Sequence, residues 1–336
     1  MRKILVPFVV LTLLFVLTIP VLAGGQIEAA GRPAVRLAHG WTQMLSPVSP
    51  SPRNDATLAY DTARGVAVLF GGGDNGIELD DTWEWDSVSM SWVEREPVHK
   101  PAPRYGYGMA YDEVRGVTVL FGGEANAAEF GDTWLWDGED WTEVWPAASP
   151  SPRWLNTMVY DSARQRVVLF GGEPSDYWYS DETWEWDGVN WVLQDIASPS
   201  PRFGVGLAYD SRRGVTVLFA GDDGVGWQSF NDTWERAGSG DWVQLDPSRH
   251  PSRRSRMTMA YSPQLRRTLL FGGLEGGQWL TDTYAWNGVQ WQQANPVVHP
   301  SESNGGMVYD PVNKALLLYV GDSIFGQNTS ETWYFR

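Results

Sequence analysis

Residues 152–191 read PRWLNTMVYDSARQRVVLFGGEPSDYWYSDETWEWDGVNW. A short apolar segment ends at Tyr160-Asp161, a turn leads into Val167-Val168-Leu169-Phe170, and Gly171-Gly172 closes that run. After a variable loop come Thr183-Trp184-Glu185-Trp186, a tight Asp187-Gly188 turn and Trp191. The pattern predicts four strands joined by turn residues. One such unit cannot cover its own apolar faces, whereas several stacked side by side can.

The unit recurs along the chain. Its Tyr anchor stands at Tyr60, Tyr111, Tyr160, Tyr209, Tyr261 and Tyr309, a period of 48 to 52 residues. Ten residues after each anchor comes Phe70, Phe121, Phe170, Phe219, Phe271 or Tyr319. The next anchor, Trp83, Trp134, Trp184, Trp234, Tyr284 or Trp333, follows 13 to 15 residues later. Six registers held this tightly establish a repeat.

The two ends of the array are complementary. A closing Trp precedes the next Tyr anchor by 18 or 19 residues in the first five units, and Trp41 stands 19 before Tyr60 with no unit of its own. At the other end only Tyr334, Phe335 and Arg336 follow Trp333, so the sixth unit lacks its fourth strand. A spare fourth strand at the start and a missing one at the end predict a closed ring, which removes the open sheet edges of a linear array.

Strand character varies with position. In four of the six units a small residue precedes the Tyr of the first strand, as in Met109-Ala110 and Leu207-Ala208, which suits a crowded inner position. The second strands are continuous apolar runs such as Val117-Thr118-Val119-Leu120-Phe121, the signature of a strand covered on both faces. Asp137-Gly138, Asp187-Gly188 and Asn287-Gly288 join third to fourth strands as hairpin turns.

Phe170-Gly171-Gly172, the Tyr160 anchor and the Trp184 to Trp191 pair resemble kelch repeats, and the resemblance extends over residues 41–336. It implies an all-β fold, a six-bladed β-propeller of four-stranded antiparallel blades closed by an N-terminal strand in the last blade, similar to the central propeller of galactose oxidase. Ala220-Gly221 and Val320-Gly321 depart from the Gly doublet, and Tyr284 and Asn287 depart from the usual residues. Kelch-type propellers include copper radical oxidases with a Tyr–Cys crosslink. This chain has no Cys and cannot form that cofactor.

Composition narrows the function further. The formal charge is -16, so a phosphate backbone is repelled and nucleic acid is not an expected partner. Without Cys there are no disulfides, thiolate metal sites or thiol nucleophiles. Residues 1–24 combine Arg2-Lys3 with an apolar run to Leu22 and Ala23, which predicts a signal peptide or an uncleaved membrane anchor. Residues 25–40 read as a flexible spacer. The expected product is a secreted or cell-surface monomer that touches a membrane only through that first segment.

In an up-and-down blade, the loops joining strands two and three share a face with the links between blades. Sequence variety concentrates there, which marks it as the recognition face. Its aromatic residues, Tyr177, Trp178, Tyr179, Trp227, Phe230, Trp279 and Phe325, are candidate ligand contacts; the bland alternative has the rings folded back as lids on the blades. Arg53, Arg104, Arg153, Arg202 and Arg253 (or Arg254) open five blades. A ring of Arg suits a carboxylate-bearing ligand. As repeated residues they also suit structural pairing with Asp81, Asp132, Glu182, Asp232 and Asp282, and this second reading is the stronger.

No nucleophile motif, phosphate loop or metal cluster is present in the sequence, so no cofactor and no metal are expected. The reading is an extracytoplasmic binding module for a glycan or an extracellular protein. The alternatives are a sugar mutarotase or isomerase acting on a sialic-acid-like substrate, an activity found among exported kelch propellers, and a structural envelope protein.

Overall fold

The computed structural model describes residues 40–174, 179–224, 229–301, 304–322 and 329–336. The expected signal or anchor segment, and the spacer up to residue 39, lie outside these residues.

Each repeat folds as one antiparallel sheet whose strands follow chain order from the inside outward. Blade one comprises Leu58–Asp61, Val66–Asp74, Ile77–Asp86 and Ser91–Arg95. Blade two comprises Gly108–Asp112, Val117–Phe121, Thr133–Trp136 and Trp141–Val144. Blade three has Thr157–Asp161, Arg166–Phe170, Thr183–Trp186 and Trp191–Leu193. Blade four has Gly206–Asp210, Val215–Phe219, Thr233–Ala237 and Trp242–Leu245. Blade five has Thr258–Ser262, Arg267–Glu275, Gln278–Trp286 and Trp291–Ala294. Blade six has Gly305–Asp310, Ala315–Asp322 and Thr329–Phe335.

The fourth strand of blade six is Trp41–Met44. It runs antiparallel to the last strand, with Trp41 opposite Phe335 and Met44 opposite Thr332. Gly40 and Arg336 extend the ladder, the Gly40 amide donating to Arg336 at 3.0 Å and the Arg336 amide to Gly40 at 3.3 Å. The ring is closed, as the spare and missing strands require.

The apolar second strands are the core. Val68, Leu69 and Phe70, and their counterparts in the other blades, have no exposed surface, because each sheet is covered by a blade on either side. Tryptophan then stitches neighbour to neighbour. Each closing Trp donates its indole N–H to the Thr that begins the third strand's core portion in the preceding blade. The pairs are Trp92 to Thr332, Trp141 to Thr82, Trp191 to Thr133, Trp242 to Thr183, Trp291 to Thr233 and Trp41 to Thr283, at 2.8 to 3.0 Å. The circuit passes through all six blades. A buried indole needs such an acceptor, which is why Thr recurs one residue before the third-strand anchor.

The acid before that Thr has its own partners. Asp132 binds Arg104 through both carboxylate oxygens, at 2.6 and 2.8 Å, and accepts the Trp134 indole at 2.7 Å. Asp81 does the same with Arg53 and Trp83. Glu182, Asp232 and Asp282 pair with Arg153, Arg202 and Arg254. The tripeptide Asp-Thr-Trp is thus an Arg acceptor, an indole acceptor for the next blade and an indole donor. Arg254 rather than Arg253 holds the repeat position in blade five: Arg254 is buried, while Arg253 is exposed and reaches the Ser229 carbonyl at 3.2 Å. Blade six has no such Arg. There Glu331 accepts from the Ser301 hydroxyl and the Trp333 indole.

The Gly doublets turn the chain where the link arrives. At Gly171 φ is +67° and a Cβ would stand 2.5 Å from the Arg202 carbonyl, so only glycine fits without a shift. Ala220 takes the left-handed conformation at the matching place in blade four. In blade six Val320 continues the ladder instead, and pairing runs without a bulge to Asp322 opposite Thr329.

The Arg–acid pairs set an acid limit on stability. Burial by itself would raise the Asp81, Asp132 and Glu182 carboxyls, but hydrogen bonds from the Arg and the indole, with the Arg charge, hold all three below the usual carboxylate range. Their folded-state values lie below those of the unfolded chain. The stabilisation is therefore complete above roughly pH 4 and is lost as pH falls through the folded-state values. Calorimetry should show a thermal midpoint that declines steadily below about pH 4. A level midpoint down to about pH 2 would contradict the assignment.

Candidate functional site: the mouth of the axial channel

The inner strands of all six blades surround a channel of about 300 Å³. At one end stand the Tyr anchors. At the other end a belt of left-handed residues narrows the opening: Asp55, Gly106, Leu155, Gly204 and Arg256, with φ from 50° to 66°. Each belt residue bonds to the one before it. The amides of Gly106, Leu155, Gly204 and Arg256 donate to the carbonyls of Asp55, Gly106, Leu155 and Gly204 at 2.6 to 3.1 Å. In blade six the side chain of Asn304 replaces a backbone group, its Oδ1 accepting the Asp55 amide at 3.1 Å.

The belt fixes its neighbours. The residue after each repeat Arg pairs in register with the residue after the Gly doublet of the same blade. Asn54 pairs with Gly73, Tyr105 with Glu124, Trp154 with Glu173, Phe203 with Asp222 and Ser255 with Leu274. In blades two, three and four each pair is an aromatic beside a carboxylate. Three consecutive aromatic–acid pairs form a crescent on one side of the mouth.

The crescent is internally packed. Tyr105 meets Trp154 edge-on with ring centroids 5.7 Å apart. Tyr179, from the loop of blade three, lies over Phe203 of blade four at 5.0 Å. Tyr105, Trp154 and Tyr179 are half-buried, whereas Phe203 is buried beneath. Arg256 crosses from blade five. Its guanidinium lies 5.6 Å from the centre of the Trp154 ring and 3.4 Å from the Asp55 carboxylate.

Carboxylates crowd this ground. Burial raises the Glu124 carboxyl, a Tyr105 hydrogen bond opposes it, and Glu129 and Glu78 push it further up. Glu173 is also raised, by burial and then by Glu124, with Arg256 opposing. Burial and Glu124 push the Tyr105 hydroxyl up to about 12. Tyr179 is raised by burial and then by Glu173, Asp222 and Asp223. Asp222 itself is engaged, accepting from the Gly224 amide and the Ser229 hydroxyl at 2.8 Å each. The arrangement offers flat apolar surface beside hydrogen-bond acceptors, the combination that grips a sugar ring or a peptide side chain.

The residues expected from sequence divide into three groups. Tyr177, Trp178, Trp227 and Phe325 lie outside the described residues. Tyr179 sits in the crescent. Phe230 lies under the Arg202 guanidinium at 3.9 Å, as Phe130 lies under Arg104, which makes it part of the blade packing. Trp279 is half-buried on the third strand of blade five, opposite Leu274. Arg53, Arg104, Arg153 and Arg202 are buried against their acids and against the carbonyls of Gly71, Gly122, Gly171 and Ala220. For Arg53 every guanidinium N–H is committed within the blade, to Ser51, Gly71 and Asp81. Among the described residues no cluster of three or more acids and His gathers that could hold a metal ion. Glu124 and Glu173 open two of the variable loops on the expected recognition face, whereas Tyr105, Trp154, Phe203, Asp55 and Arg256 carry no loop signal in the sequence. Their signal is positional, one residue past the repeat Arg and one past the Gly doublet.

The fold defines the class: a six-bladed β-propeller. No protein-family model matches the chain, and no curated protein matches it either.

Proposed function

We propose that this is an extracytoplasmic, monomeric binding module of the kelch type that recognises a glycan or a protein through the face around the channel mouth. The observation that carries the reading is the run of three aromatic–acid pairs on consecutive blades, held in register by backbone pairing. A rigid belt beneath them lowers the entropy lost on binding. Glycan and protein arrays test it. A hit should lose at least about tenfold in affinity on Trp154→Ala or Tyr105→Ala, as expected for aromatic anchors at the centre of a site. A hit indifferent to both substitutions places recognition elsewhere.

A second reading is a mutarotase or isomerase for a sialic-acid-like sugar. It is favoured by the raised carboxyls of Glu124 and Glu173 beside Arg256, since anomer exchange needs a proton donor and acceptor together. Anomeric exchange of N-acetylneuraminate followed by NMR decides it. No acceleration over buffer removes this reading and leaves the binding module in place.

A further inference from the structure

The mouth holds an excess of acid over base. Asp55, Glu124 and Glu173 stand close enough to Arg256 to feel its charge, and the Asp55 contact is long, at 3.4 Å. The Asp55 side chain is 6 % exposed and that of Arg256 24 % exposed. The guanidinium also lies over the face of Trp154. An aromatic face with carboxylates at its edge is how proteins hold an organic cation, and a planar guanidinium uses such a surface best. The chain's own Arg256 therefore sits where a cationic ligand group would sit.

A second observation points the same way. Asn156, next to the belt residue Leu155, lines the channel and is 5 % exposed, and among the described residues its Oδ1 has no hydrogen-bond donor. A buried acceptor without a donor is costly. The Oδ1 itself is out of contact with water, so a ligand N–H satisfies it once the amide turns toward the channel that the residue lines.

We propose that the mouth takes an arginine side chain of a basic protein partner, and that Arg256 occupies the cation position until the partner displaces it. This rests on the recognition face argued above and names its ligand class. The formal charge of -16 favours a basic partner by long-range attraction. The occupant already in place is a guanidinium, which favours arginine over an amino sugar or lysine.

The test turns on a sign. Gly occupies the belt position of Arg256 in blades two and four, as Gly106 and Gly204, so Arg256→Gly removes the guanidinium without straining the backbone. N-acetyl-L-arginine amide is titrated into the full propeller by calorimetry and by saturation-transfer NMR. N-acetyl-lysine amide, glucosamine and N-acetylneuraminate serve as comparators. Saturable binding of the arginine amide is expected. It should tighten severalfold on Arg256→Gly and weaken about tenfold on Glu124→Gln combined with Glu173→Gln. Weaker or unchanged binding on Arg256→Gly overturns the proposal, as does preferential binding of glucosamine or N-acetylneuraminate, or no saturation with the arginine amide on either protein. An array partner lost on Trp154→Ala but also weakened by Arg256→Gly would leave the recognition face standing while the arginine assignment falls.

Discussion

A chain from which Trp41–Met44 has been removed will not persist as a monomeric disc. The deleted strand carries Trp41, which is 5 % exposed, packs edge-on against Phe271 and Phe335 at 5.2 and 5.0 Å, and donates to Thr283. Loss of a buried Trp alone costs about 3–5 kcal/mol. The deletion also leaves the last strand as an unpaired edge and interrupts the indole–hydroxyl circuit at one point. A total stability of about 5–15 kcal/mol does not survive both losses comfortably. Size-exclusion chromatography with light scattering should show aggregates or dimers formed by edge pairing, and calorimetry a midpoint far below that of the intact protein. A truncated monomer melting with the intact protein would mean that the seam contributes little.

Arg104→Met should be nearly as damaging, for a different reason. Arg104 is fully buried, and Asp132 keeps 21 % of its side-chain surface in contact with water. The substitution retains most of the volume but strips Asp132 of its cation, leaving the Trp134 indole and a backbone amide, and removes the guanidinium stacked on Phe130 at 3.9 Å. A buried charge left without its partner costs about 3–5 kcal/mol, and the water at Asp132 places this case at the lower end. Adding Asp132→Leu should recover most of the loss, because a buried pair replaced by apolar groups is often neutral. Chemical denaturation of the two variants checks this. A double variant no more stable than the single one would show that the Arg matters for packing rather than for pairing.

The fold was legible because a repeat supplies its own controls. The surplus Trp41 and the truncated end after Trp333 demanded a shared sheet, and the paired strands at Trp41 and Phe335 are that sheet. The pairing of the repeat Arg with the Asp-Thr-Trp acids was legible for the same reason, since a residue present in nearly every unit belongs to the unit. Blade five deceived on one point. Arg253 follows its Pro at nearly the usual distance, yet counting back seven residues from the first five Tyr anchors reaches Arg53, Arg104, Arg153, Arg202 and Arg254. The inner strand holds the register, while the link absorbs the extra residue.

The candidate site was harder to see. Aromatic-rich loops draw attention by composition, but Phe230 serves a buried Arg. Tyr105, Trp154 and Phe203 lie inside a segment that looks uniform, and only their offset from the Arg and the Gly doublet sets them apart. That offset means nothing until backbone pairing places each beside Glu124, Glu173 or Asp222. Arg256 could not be matched to Trp154 from sequence at all, because the contact spans two blades across the opening.

The closing ladder also determines how the molecule answers to force. Gly40 and Arg336 face each other at the same end of that ladder, bonded in both directions. A pull applied through the two chain ends therefore loads one rung at a time, as in a zipper, instead of shearing all rungs together. Under tension the disc should part first along this seam at low load, with the five uninterrupted sheets giving way later.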